Sequence, residues 1–282
     1  MTDDERLEAI RERFDGRAES YDDSAMHRAL AAAVADFVDL EGVETVLDVA
    51  TGTGLVLRAL AARAGGEANL DSVASAQSVS SDSLPGSAES VSSGGSPDEV
   101  QDGPTGEAQS GSAGGREGGS PGDAKTVSLG GGAAGHPLRL LGIDLSPGML
   151  AVARRELPSA EFVEARAEEL PVADASADLV LCVTALHIFA DPSLVFEEFA
   201  RVLAPGGALV TATFLELAEH GHGHGQGPDS PVTPGYTPNH APFASPEALA
   251  DAAAPAGFVV TRFEERALEG DRVLIAELAA VD

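Results

Sequence analysis

The chain has 282 residues, 43% of them hydrophobic and 4% aromatic, enough for one sizeable core but not for two large domains. Forty-six acidic against 17 basic residues give a formal net charge of −29, with Lys125 the single lysine, and a field of that sign repels phosphate backbones and anionic bilayers, so nucleic acid is not an expected partner. A lone cysteine (Cys182), an acidic opening (MTDDERLEAI) and no run near the roughly 20 apolar residues of a membrane span lead to the expectation of a cytoplasmic protein without a membrane span or intramolecular disulfide, its acidity a whole-surface adaptation such as a salt-loving host would carry.

Taken in chain order, periodicity predicts helices over 4–13 and 25–39, the second with Leu30, Ala33, Val34, Phe37 and Val38 on one face. A strand over 45–49 follows, then a helix over 54–64. From 65 to 136 the composition turns to Ser, Gly, Ala, Pro and acidic residues without an aromatic, and such a segment cannot bury enough apolar surface to offset its ordering entropy. Disorder is the expectation there. Strands at 138–143, 160–165, 178–185 and 207–214 then alternate with helices at 147–156, 192–203 and 245–255, which open on Ser146-Pro147, Asp191-Pro192 and Ser245-Pro246. Strands at 257–263 and 272–278 close the chain as a hairpin through EERALEGD. The expected fold is α/β: a Rossmann-like, doubly wound, seven-stranded sheet, mostly parallel, with a C-terminal antiparallel hairpin.

The stretch VLDVATGTGLVLRAL (46–60) reads as strand, acid, glycine turn and helix, which is where an open parallel sheet holds ligands. Gly52 and Gly54 permit a tight bend and a close approach, and Asp48 ahead of the turn disfavours a pyrophosphate and favours a cation. A second strand ends in Asp144, placed for ribose hydroxyls, but 90 residues beyond Gly54. With 65–136 set aside as an insertion 18 remain, near the roughly 20 of such a unit.

Five separated motifs then resemble the class I S-adenosylmethionine-dependent methyltransferases, in particular the ubiquinone and menaquinone C-methyltransferase group. LDVATGTG resembles the first, with Ala50 where a first glycine is commoner; GIDLSPGML, EARAEELPVADASADLVLCVTALHIFADP and RVLAPGGALV resemble the next, and RFDGRAESYD the N-terminal F-D-x-x-A-x-x-Y-D element. The resemblance implies S-adenosyl-L-methionine as cofactor, held by Tyr21, Asp48, Ala50, Thr51, Gly52, Thr53, Gly54, Asp144, Leu145, Met149, Ala167, Glu168 and Val183, and a small-molecule methyl acceptor as partner. Its implied layout is a helical cap over 1–40, a methyltransferase domain over 41–64 and 137–282, and the insertion over 65–136. Arg166 departs from the pattern, standing where an adenine-accepting Asp is frequent, since a guanidinium cannot accept a hydrogen bond.

His187, at a strand end, is a candidate general base or a hydrogen-bonded structural histidine. His220, His222 and His224 in EHGHGHGQG suit a transition metal by type, but the glycines between them fix no geometry, so no metal is expected and a substrate-side loop is. Tyr236, His240 and Phe243 are expected on that same side. Two other readings stay open: a non-catalytic module on the same fold, and a dehydrogenase, whose G-x-G-x-x-G the turn G-T-G-L-V-L does not match.

Overall fold

A computed structural model describes residues 2–65, 138–216 and 236–281, and the structural statements below concern these. The expected disorder of 65–136 and the His-Gly run at 220–224 fall outside the described residues, apart from Gly65.

Helix α1 (Asp3–Asp15) starts on a capping box, Thr2 accepting from the Glu5 N–H while Glu5 reaches back to the Thr2 N–H. Helix α2 (Ala25–Phe37) is capped by Ser24 and buries Met26, Leu30, Val34 and Phe37. It ends two residues earlier than the periodicity predicts, because Val38 is extended and the Asp39 side chain turns back to the Glu41 N–H at 3.0 Å, a local bond that competes with helix. Strand β1 (Thr45–Val49) is buried throughout, and residues 55–65 form α3. The next described elements are β2 (Arg139–Asp144), α4 (Pro147–Glu156), β3 (Glu161–Glu164) and β4 (Ala177–Val183). The chain then runs through α5 (Pro192–Val202), β5 (Leu203–Glu216), α6 (Pro246–Ala253), β6 (Phe258–Leu268) and β7 (Asp271–Ala280). Ser146, Asp191 and Ser245 cap α4, α5 and α6, each with proline in the first turn.

The seven strands lie in the order β3-β2-β1-β4-β5-β7-β6, parallel except for β7, which runs antiparallel to both β5 and β6. One face is covered by α2, α3 and α4 through Leu30, Val34, Leu57, Leu60 and Leu150. The other is covered by α5 and α6 through Phe196, Phe199 and Leu249. Two boundaries move by more than two residues. Strand β5 begins at Leu203 rather than 207, because pairing with Ala177 precedes the A-P-G-G kink and a register shift absorbs the kink. The hairpin connection is only Glu269-Gly270, both at positive φ (51° and 96°), and EERAL belongs to β6. Strand order reverses between β1 and β4, so the crevice of a doubly wound sheet opens at their C-terminal ends.

Candidate active site

Beyond β1 the chain turns through Ala50 (φ 60°), Gly52 (φ 57°) and Gly54 (φ 75°) before α3 begins. Glycine adopts this left-handed region freely and alanine does not, so Ala50 carries backbone strain at the position where the related motif favours glycine. The turn is tied to β2, the Thr51 N–H donating to the Ile143 carbonyl at 2.9 Å. A Cβ on Gly142 of β2 would stand 2.6 Å from the Phe162 ring and 2.8 Å from the Thr51 methyl, so only glycine lets the ring cross beneath the turn.

Two carboxylates flank this turn at the ends of neighbouring strands. Asp48 is 1% exposed and accepts the Thr51 hydroxyl at 2.7 Å. Asp144 accepts the Gly52 and Ser146 N–H groups, each at 2.8 Å. Burial pushes Asp48 up to about 7, against the Thr51 bond, with the Asp144 charge adding to the rise. Burial likewise pushes Asp144 up to about 6, opposed by the N–H groups of Ser146, Gly52 and Leu145, with Asp15 adding. A buried acid with a second, partly buried one at the end of the neighbouring strand favours a cation nearby.

Two adjoining cavities of about 780 and 420 Å³, both open to solvent, meet at Tyr21, Ala50, Gly52, Val183 and Thr184. Asp144, Leu145, Met149, Ala167 and Glu168 line the larger. Asp48, Thr51 and Thr53 line the smaller. Every residue expected at the cofactor therefore borders a cavity except Gly54, whose missing Cβ makes room for Ala153 and the Phe162 ring at 3.4 Å. A Cβ on Gly52 would meet no atom within 4 Å, which leaves backbone facing open space at the seam of the two cavities. An adenosyl sulfonium fits this arrangement: space against bare backbone, an acid for hydroxyls and a buried acid for positive charge.

The N-terminal element closes the cleft, and each of its characteristic residues has a contact. Phe14 lines the larger cavity. Asp15 accepts the Ser146 hydroxyl at 2.5 Å and the Gly148 N–H at 2.8 Å, capping α4 and holding the loop that binds Asp144. Ala18 is buried against Met149 and Val152. Tyr21 lines both cavities beside Thr184, and burial pushes its hydroxyl up to about 12. Asp22 takes the Thr53 hydroxyl and the Arg58 guanidinium, joining the cap to the turn and to α3.

Arg166 lines the larger cavity but spends its guanidinium on Asp3 at 2.6 Å and Glu168 at 3.6 Å, latching α1 to the loop after β3. Arg11 to Glu164 (2.9 Å) and Arg6 to the Ile188 carbonyl add two further ties. The structure does not bring His187 to either cavity wall: it is buried, its ring stacked on His240 with centroids 4.1 Å apart. Tyr236 packs beside the cleft with Ile10 and Ile188, whereas Phe243 lies in the core under β5 rather than on the substrate side. Cys182 is a buried thiol whose pKa burial pushes up.

Sequence reasoning missed Thr184 (φ 53°) and His27, and no local pattern marks either. His27 lines the smaller cavity, stacks on Tyr21 at 4.1 Å, and its Nδ1 lies 3.2 Å from the Tyr21 carbonyl oxygen. A carbonyl only accepts, so Nδ1 carries the proton and Nε2 the lone pair; burial holds the ring below its ordinary pKa.

Comparison with known proteins agrees with this geometry. Residues 124–211 match the family described as "Methyltransferase domain". A ubiquinone/menaquinone biosynthesis C-methyltransferase of Campylobacter jejuni is 38% identical over 84 residues, 30% of this chain and 36% of that protein. A malonyl-[acyl-carrier protein] O-methyltransferase of Hahella chejuensis is 37% identical over 145 residues, 46% of this chain and 48% of that one. The chain thus spans about half or less of the length of these relatives. Among solved structures, a SAM-dependent methyltransferase from Aquifex aeolicus shares the fold, with a TM-score of 0.53 at 15% identity over 94% of this chain and 98% of that one. The fold, the match over 124–211 and these relatives make the chain similar to the class I S-adenosylmethionine-dependent methyltransferases, whose cofactor is S-adenosyl-L-methionine, and in particular to the ubiquinone/menaquinone C-methyltransferase group.

Proposed function

We propose that this chain transfers a methyl group from S-adenosylmethionine to a small-molecule acceptor by in-line displacement. The observation that carries the reading is a pair of acids, Asp48 buried and Asp144 partly buried, on the walls of two cavities that join at Gly52. Bound there, S-adenosylmethionine supplies an electrophilic methyl group on a cationic sulphur. The residues of the chain have three tasks. Asp48 favours positive charge at the smaller cavity, Asp144 accepts hydroxyls while its remaining lone pairs hold the turn, and the cap formed by Phe14 and Tyr21 excludes water.

A base is required only for an acceptor that must lose a proton, and His27 is better placed than His187. It borders the smaller cavity and burial keeps it neutral, with Nε2 as the accepting atom. No nucleic acid partner is proposed, because the −29 charge opposes it, and no helix among the described residues is long and apolar enough to cross a membrane.

The test is incubation of the purified protein with methyl-labelled S-adenosylmethionine and a small-molecule metabolite extract. Label should pass to low-molecular-weight product with wild type and fall by two or more orders of magnitude with Asp48→Asn. Label that appears only in macromolecules, or in no product at all, would overturn the reading.

A further inference from the structure

The described ion pairs commit most of the arginines to carboxylates, as with Arg58 to Asp22, Arg155 to Glu19, Arg201 to Glu198 and Arg272 to Glu265. A surplus of 46 acids over 17 cations makes such pairing the default. Three arginines of the N-terminal cap depart from it, Arg6, Arg13 and Arg17, of which Arg6 lines a cavity. Arg6 lines the larger cavity, its guanidinium 5.9 Å from the centroid of the Tyr236 ring. Arg17 lies 5.4 Å over the Tyr21 ring and 5.9 Å over Phe14, both cavity residues. Arg13 stands near enough to depress Arg17 further, after burial, which is the larger cause.

The charges of all three act on one phenol, and Arg6 lies beside its ring. Burial pushes the Tyr236 hydroxyl up, and the charges of Arg13, Arg17 and Arg6 pull it back. The Nε of Arg13 and the Nη1 of Arg17 are buried without a hydrogen-bond partner, and no carboxylate pairs with either among the described residues. Buried guanidinium N–H groups that repel one another are costly to leave unmatched, and an oxyanion between them would satisfy both needs. Acids thus stand at Asp48 and Asp144 on the cavity walls, and Arg6 and Arg17 stand beside the aromatic rings of Tyr236, Phe14 and Tyr21.

We propose that the methyl acceptor carries an oxyanion group, a carboxylate or a phosphate, which Arg6, Arg13 and Arg17 bind beside Tyr236. Planar guanidinium forks match either group in a bidentate fashion. The proposal rests on the methyl-transfer reading for its meaning, but the anion site can be tested by itself.

Melting of the full chain is followed with sodium benzoate, inorganic phosphate or neutral benzamide in the millimolar range, against sodium chloride at matched ionic strength. Benzoate or phosphate should raise Tm above chloride, and benzamide should not. Benzoate alone identifies a carboxylate and phosphate alone a phosphate group. The double variant Arg13→Gln/Arg17→Gln should weaken the apparent affinity for that anion by about tenfold or more, and Arg17→Lys by less, because charge survives while the fork is lost. No anion effect over chloride in the wild type, or an equal effect of benzamide, overturns the proposal whether or not the variants fold. S-adenosylhomocysteine titrated into the same samples separates the two readings: its binding without an anion effect removes only the acceptor proposal. An anion effect without its binding removes the methyltransferase reading.

Discussion

Asp48 is the residue through which pH should act. Its carboxyl is raised to about 7 in the folded protein, above the ordinary range near 4 that it regains on unfolding. The protonated form is therefore favoured by folding: this contribution to stability is complete below about pH 4 and is lost as pH rises through 7. Protein free of cofactor should melt progressively lower between pH 4 and 7, and S-adenosylmethionine, whose positive charge favours the ionised acid, should oppose the fall. For the same reason its affinity should rise about tenfold from pH 6 to 8, and Asp48→Asn should flatten that rise. Calorimetric titrations at three pH values check this, and a wild-type affinity independent of pH would show that Asp48 does not sense the ligand. Ala50 offers a second check at this scale. An alanine at φ 60° costs about 1–2 kcal/mol, partly offset by the greater chain entropy of glycine, so Ala50→Gly should stabilise by about 0.5–1 kcal/mol in urea unfolding. A destabilised variant would mean that the turn is not strained.

The cap is the element whose logic is most local. Asp15 holds the N-terminus of α4 and the Ser146 loop that fixes Asp144, so Asp15→Ala should cost about 1 kcal/mol of stability and weaken cofactor binding about fivefold. Asp3→Ala breaks an ion pair whose side chains are 51% and 39% exposed, and should change stability by only a few tenths of a kcal/mol. Urea melts of both variants decide it; equal losses would mean that α1 is held by its surface pairs rather than by the α4 cap. The motif RFDGRAESYD was legible because Phe14, Asp15, Ala18, Tyr21 and Asp22 each answer a fixed structural need. Helix starts at Ser146, Asp191 and Ser245 were legible for the same reason, a cap followed by proline. The β6–β7 turn was misjudged because charged residues on an edge strand look like loop, and only the pairing of Leu268 with Asp271 shows that they are strand. His27 and Thr184 could not be read at all, since their roles come from Tyr21 packing between them across elements distant in sequence.

At the scale of the whole molecule the charge of −29 sets the remaining expectation. Self-repulsion opposes compaction at low ionic strength, and salt shortens the screening length from about 30 Å at 0.01 M to about 3 Å at 1 M. Tm should climb with KCl well into the molar range, whereas a flat or falling curve would mean that the acidic residues are too widely spaced to need screening. The doubly wound seven-stranded sheet was legible despite the segment at 65–136, because the spacing from Gly54 to Asp144 becomes ordinary once that segment is set aside. The setting of the cap arginines was not: nothing in the sequence distinguishes Arg13 and Arg17 from the arginines that pair with acids on the surface. The most direct test of the account is one calorimetric titration series on the wild-type protein at pH 8 with S-adenosylmethionine, S-adenosylhomocysteine and NAD. Both adenosyl compounds should bind at one site per chain, with an affinity that Asp144→Ala weakens by about 1.5–3 kcal/mol, and NAD should give no heat of binding. NAD binding with no response to either adenosyl compound would contradict the account at its centre.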